Sequence, residues 1–99
     1  MKQLDRIAHY EALLSRVTRA QRGLEDAMEE FSAIQPLMEE LEAYYTSKLW
    51  RKDFEADERG ELPKHQPRGV LSEDGIYNAI TDNRALLVGM LELVGKRIS

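Results

Sequence analysis

The feature that most constrains the fold of this chain is an apolar stripe that runs through residues 3–34 without a proline. Its members recur every three or four residues, which is the period of one face of an α-helix. They are Ile7, Tyr10, Leu14, Val17, Leu24, Met28 and Phe31, with Leu13, Ala20, Ala27 and Ile34 beside them. Gln21 is the one polar residue in the main series. A stripe this wide favours packing against a core or in a bundle over a two-stranded seam alone.

The length of this helix points to a partner. A straight helix over residues 3–34 is about 50 Å long at 1.5 Å per residue, whereas a compact domain of about 100 residues has a radius of gyration of only about 13 Å. The helix must therefore bend or extend beyond the rest of its chain, and an extended apolar stripe needs a cover. We predict a homodimer formed through this helix. The predicted contact residues are Ile7, Tyr10, Leu14, Val17, Leu24 and Met28.

The charges on the same helix allow two interpretations. Basic residues come first and acidic residues follow, with Gly23 at the crossover. They are Arg16, Arg19 and Arg22, then Glu25, Asp26, Glu29 and Glu30. An antiparallel pair of helices about Gly23 places Arg22 near Glu25, and such exposed pairs set orientation more than affinity, at about 0–1 kcal/mol each. A solvated charged face explains the same residues equally well.

The rest of the chain predicts three further helices. Gln35-Pro36 ends the first one, because a residue before proline avoids the helical region, and Pro36 suits the first turn of the next helix. We place helices at about 36–46, 47–58 and 72–97, with Ser47 and Ser72 as N-caps. The non-periodic residues 59–71 form a loop.

Several expectations concern the last helix. Glu73 and Asp74 are placed in its first turn, and Leu71 and Ile76 occupy the two positions of a hydrophobic staple. Asp82-Asn83 is a weak point at which the helix could break. The predicted buried stripe consists of Ile76, Ile80, Leu87, Met90 and Val94.

The predicted fold class is therefore all-α, in a single domain over residues 1–99. The architecture is a small helical bundle with a long N-terminal helix folding back as a helical hairpin, a short acidic helix, a loop and a C-terminal helix. The apolar content of 42% is too high for a disordered chain.

Composition excludes several functions. The chain has a net charge of −4 and lacks the clustered Lys and Arg that binding to nucleic acid requires. The absence of cysteine excludes disulfides and thiolate metal sites. Neither a signal peptide nor a membrane-spanning segment is evident. We expect a cytoplasmic protein with no nucleic-acid partner and no membrane partner.

The acidic helix holds the most site-like residues. Asp53, Glu55 and Asp57 resemble the start of an EF-hand loop, but Glu58 stands where that loop needs glycine and Lys64 where it needs glutamate. We therefore predict no metal, no cofactor and no catalytic residue, and interpret the segment as a solvated or partner-facing edge.

Three other side chains belong to this edge. Trp50 and Phe54 share one helical face because they are four residues apart. We interpret them as core, or as a hot spot for a protein partner if the helix is exposed. Arg68 is predicted to form a salt bridge with the acidic stretch 53–58 and so to close the loop.

The chain resembles a family of small bacterial proteins, domain of unknown function 4298. The residues that carry the resemblance run from Trp50 to Glu58 and from Arg68 to Tyr77, with Gln35-Pro36, Tyr44-Tyr45 and Leu62-Pro63 in the same order. Gly75 is a departure, since a better helix former such as Ala is expected there. The resemblance implies a bacterial, intracellular helical protein, and implies no activity, cofactor or catalytic residue.

Two functions follow as hypotheses. The first is a non-enzymatic interaction module that self-associates through its first helix and offers an edge to a protein partner. That edge consists of Trp50, Asp53, Phe54, Glu55, Asp57, Glu58 and Arg68, with the 59–71 loop. The alternative is a small enzyme or a ligand- or metal-binding protein whose site lies between the 53–58 acids and Arg68.

Overall fold

The computed structural model describes residues 2–99. The described chain is all-α, as predicted, and contains no strand. Its helices are α1 (Gln3–Ala33), α2 (Gln35–Tyr45), α3 (Lys48–Glu58) and α4 (Gly75–Ile98), with a short 3-10 helix at Gly69–Leu71. The chain divides into two compact units, one ending at Gln35 and the other spanning Pro36–Ser99.

The first unit consists of α1 and its end. The N–H of Ile34 donates to the carbonyl of Glu30 at 3.0 Å, and the Gln35 side chain donates to the carbonyl of Phe31 at 3.0 Å. No residue of α1 is buried. The predicted contact side chains are all more than half exposed, from 51% for Val17 to 60% for Tyr10. The helix therefore exists with its apolar stripe open.

In the second unit, both ends of α3 are fixed by local hydrogen bonds. The Ser47 hydroxyl accepts the N–H of Trp50 at 3.3 Å, which confirms the predicted cap. At the other end the N–H of Gly60 donates to Asp57 O at 2.9 Å, and that of Glu61 to Ala56 O at 3.0 Å. These two bonds form a Schellman motif, and Gly60 supplies the left-handed residue it needs, with φ of 71°.

The predicted start of the last helix is wrong by three residues. Helix α4 begins at Gly75, so Glu73 and Asp74 precede the helix. The Ser72 hydroxyl still accepts the N–H of Gly75 at 3.0 Å, which is the bond that an N-cap serine makes three residues ahead. The expected break at Asp82-Asn83 is also wrong, because α4 is continuous to Ile98.

The core of the second unit is small. Leu71 and Ile76, at 6% and 3% exposure, are the buried apolar side chains among residues 2–99, and they are the predicted staple pair. The 3-10 helix contacts both α3 and α4, so it covers the first turn of α4.

The predicted buried stripe of α4 is consequently wrong beyond Ile76. Leu87 and Val94 are 46% and 50% exposed, while Ile80 and Met90 are half-buried. Their spacing places them on one helical face, but the face is not covered.

Candidate functional site

The predicted partner edge is built around Trp50. Its indole N–H donates to the carbonyl of Val70 at 2.8 Å and so ties α3 to the 3-10 helix. The indole ring stacks on the Phe54 ring, with centroids 5.1 Å apart. The Tyr45 ring meets the indole edge-on, with centroids 5.0 Å apart. The shared face of Trp50 and Phe54 is confirmed. Both side chains are half-buried, so they pack at the surface of the unit and not in a deep core.

Arg68 closes the loop in the way the sequence predicts. Its guanidinium donates to Asp57 Oδ1 at 2.8 Å, and both side chains are about 30% exposed, at 32% and 27%. A second guanidinium nitrogen donates to the carbonyl of Lys64 at 3.3 Å. One arginine thereby joins the middle of the loop to the last turn of α3.

Tyr44 and Asp53 form a contact that sequence reasoning missed. The Tyr44 hydroxyl donates to Asp53 Oδ2 at 2.6 Å. This hydrogen bond to a carboxylate holds the phenol in its protonated form and raises the pKa of Tyr44 to about 12. The two residues lie on either side of the turn at Thr46-Ser47, which joins α2 to α3. No local spacing signals that contact.

The remaining charges of the edge are open to solvent. Arg59 pairs with Glu61 at 2.6 Å, and more than half of each side chain is exposed. The hydrogen bond from Arg59 lowers the pKa of Glu61 and raises that of Arg59. Glu55 and Glu58 are also exposed. An exposed ion pair adds little stability, so these residues form charged surface and do not hold the fold together.

Gly75 has a structural requirement, and the expectation of Ala there is wrong. A Cβ atom at this position would overlap the carbonyl oxygen of Gly69 and lie 2.8 Å from the Ser72 hydroxyl. Ser72 in turn donates to that same Gly69 carbonyl at 2.8 Å. The first turn of α4 therefore packs directly on the backbone of the 3-10 helix, and only glycine allows that approach.

A shallow groove of about 440 Å³ lies beside this contact. Leu41, Val70 and Ile76 contribute to its lining, together with small residues and a proline. Its walls are mainly apolar and offer a packing surface. Among residues 2–99, no group of three or more His, Asp or Glu side chains is placed to hold a metal ion.

The geometry thus divides the candidate residues into two sets. The first set makes contacts within the same unit: polar groups of Trp50, Asp53, Asp57 and Arg68 form hydrogen bonds, and Phe54 stacks on Trp50. Glu55 and Glu58 are exposed at the surface. The arrangement holds α3, the loop and the start of α4 together, and we call these three segments the α3 corner.

No helix within residues 2–99 combines the length and apolar character needed to cross a bilayer.

Comparison with known proteins places the chain in a family. Neither the curated proteins nor the solved structures include a significant match to the chain. A family model does match it over residues 7–93 of its 99 residues, which includes most of α1, the whole α3 corner and most of α4. The chain therefore belongs to the family described as Domain of unknown function (DUF4298).

Proposed function

We propose that this protein is a non-enzymatic interaction module that self-associates through the apolar stripe of α1. The observation that carries the proposal is the exposure of that stripe. Ile7, Leu14 and Leu24 are 52%, 57% and 54% exposed on a helix of 31 residues with no buried residue. Large contiguous apolar patches on a protein surface usually mark an interaction site.

Energetics favour the same conclusion. Most helical stability in proteins comes from packing of an apolar face rather than from helix propensity. Covering apolar surface contributes about 25 cal/mol per Å². A helix whose whole apolar face is open therefore gains stability when a partner covers it, and self-association supplies that partner.

The α3 corner supports a second part of the proposal, an edge for another protein. Trp50, Asp57 and Arg68 fix the shape of this edge through their contacts within the chain. Glu55 and Glu58 remain exposed on it, together with Arg51, Lys52 and Arg59, so its surface charge is mixed. A partner that offers charges of both signs fits this edge best.

Sedimentation velocity over a range of protein concentrations tests the self-association. We expect the wild type to sediment as a dimer and Leu14→Asp to sediment as a monomer, because a carboxylate in the covered stripe loses its hydration. Ser15→Asp is the matched control: it adds the same charge one residue away, outside the stripe, and should leave the dimer intact.

Two results would overturn the proposal. One is a wild type that stays monomeric at the highest concentrations reached. The other is a Leu14→Asp variant that assembles as well as Ser15→Asp. Fluorescence of Trp50, which lies in the second unit, reports whether each variant keeps the α3 corner folded.

A further inference from the structure

We infer that the α1 stripe is covered by α4 of a second copy of this chain, packed antiparallel in one defined register. The inference rests on the proposed self-association and names the surface that meets α1. Both faces are available: Leu14 and Val17 of α1 are 57% and 51% exposed, and Leu87 and Val94 of α4 are 46% and 50% exposed. In a pair of copies each open face can cover the other, so we assign the cover to a second copy.

The two stripes have mirror-image spacing. In α1, Tyr10, Leu14, Val17, Gln21 and Leu24 are separated by steps of four, three, four and three. In α4, Val94, Met90, Leu87, Asn83 and Ile80 show the same steps when read backwards. Because both helices are continuous across these residues, an antiparallel pair aligns every layer. The layers are Tyr10–Val94, Leu14–Met90, Val17–Leu87, Gln21–Asn83 and Leu24–Ile80.

One polar residue in each stripe selects the register. Gln21 and Asn83 are the polar members of the two series, and the antiparallel alignment places them opposite each other. A parallel alignment cannot, because the step before Gln21 is four residues and the step before Asn83 is three. A polar residue in an apolar seam specifies register, since any other alignment sets it against apolar neighbours.

The residues that flank the seam match on both sides. On one side, small and apolar residues of α1 meet apolar residues of α4. These are Leu13 with Leu93, Ala20 with Leu86, and Ala27 with Ala79. On the other side, Arg84 of α4 lies opposite Thr18 of α1 and Tyr77 lies opposite Glu25, so no like charges meet. The wide stripe of α1 thereby has a wide counterpart.

The size of this contact suits a stable dimer. Two-fold symmetry makes the pairing occur twice, because α1 of each copy covers α4 of the other. The seam and flank positions come to about twenty residues per copy, and a standard protein interface uses about 20–30 residues on each side.

Disulfide trapping tests the register directly, because the chain contains no cysteine. A tagged chain carrying Leu14→Cys is mixed with an untagged chain carrying Met90→Cys, and the mixture is mildly oxidised. We expect a mixed disulfide dimer on a non-reducing gel. Val17→Cys with Leu87→Cys is a second pair in the same register and should link equally well.

The matched control combines Leu14→Cys with Val88→Cys. Val88 lies two residues from Met90 in sequence and on the outward side of α4 in the proposed pair, so we expect linkage at least about tenfold slower, since thiols whose Cβ atoms point apart cannot bridge. Equal linkage of the control pair would overturn the inference.

Other outcomes separate this inference from the proposed function. Efficient linkage between two Leu14→Cys chains would show that α1 meets α1, which overturns the register while self-association stands. A chain that carries both Leu14→Cys and Met90→Cys and closes a disulfide within itself as a monomer would overturn both.

Discussion

Helix α1 and the α3 corner obtain their structure in different ways. Helix α1 has 31 residues, none of them buried, and its side-chain hydrogen bonds are local ones such as Thr18 to the carbonyl of Leu14 at 3.0 Å. The α3 corner is held by bonds across the chain, with Trp50 joined to Val70 and Arg68 joined to Asp57. One region of this chain is fixed by contacts between distant residues, whereas the other has contacts within its own helix.

This difference has a measurable consequence. Interactions within one unit do not depend on protein concentration, whereas an interface between copies gains stability by mass action. Substitutions in the α3 corner should therefore change the free energy of unfolding equally at every protein concentration. Substitutions in the α1 stripe should change it only at concentrations where the protein is assembled.

The largest expected effect comes from Ile76→Ala. This side chain is 3% exposed, and replacing a buried isoleucine by alanine costs about 2–5 kcal/mol. Urea unfolding followed by Trp50 fluorescence should show this loss at low and high protein concentration alike. Leu49→Ala, at a side chain that is 65% exposed in the same unit, is the control and should change the free energy of unfolding by less than about 0.5 kcal/mol.

The contrasting variant in the other region is Leu24→Ala. Its side chain is 54% exposed in the single chain. The loss in free energy of unfolding, measured by urea unfolding, should therefore grow with protein concentration. A loss that is large in dilute solution would contradict the contrast between the two regions.

A pair of glycine substitutions should give opposite signs. At Gly89 an added Cβ meets nothing within 4 Å, so Gly89→Ala should stabilise α4 by about 0.5–1 kcal/mol through helix propensity. At Gly75, the first residue of α4, the added Cβ overlaps the Gly69 carbonyl, so Gly75→Ala should destabilise the α3 corner by about 1–3 kcal/mol.

Thermal unfolding followed by circular dichroism measures both glycine variants. If Gly75→Ala were as stable as Gly89→Ala, the close packing of α4 on the 3-10 helix would not be a feature of the protein in solution.

Gly75 also shows where sequence reasoning succeeds and where it stops. The ends of the first three helices were predictable to within a residue, because Pro36 and Ser47 act locally on the backbone. The Arg68–Asp57 pair was predictable from opposite charges flanking one loop. The close approach at Gly75 was not, since it depends on the 3-10 helix that precedes α4, and helix propensity alone gives the wrong residue.

The burial of α4 was unpredictable for a related reason. The spacing of Ile80, Leu87 and Val94 specifies a shared face, but periodicity does not say whether the same chain supplies the cover. The bonds from Trp50 to Val70 and from Tyr44 to Asp53 likewise depend on the path of the chain between helices. Both bonds join residues of different segments, and they make up most of the part of the candidate site that could not be predicted from the sequence.

The smallest expected effect is the titration of Tyr44, which lies in α2 and contacts the α3 corner through Asp53. Its pKa of about 12 lies above the ordinary 10.0 because it donates a hydrogen bond to the Asp53 carboxylate. The bond therefore contributes its full stability below pH 10, and that contribution is lost as the pH rises from 10 through 12. An ultraviolet absorbance titration should show one of the four tyrosines ionising near pH 12.

Two variants assign that late titration. Tyr44→Phe should remove it, and Asp53→Ala should shift it down towards the ordinary tyrosine range, because the accepting carboxylate is gone. Glu55→Ala, which removes a carboxylate two residues away, is the control and should leave it near pH 12. A late titration that survives Asp53→Ala would mean that the α2–α3 turn does not bring these two residues together. The contrast between the α3 corner and α1 would then rest on the bonds of Trp50 and Arg68 alone.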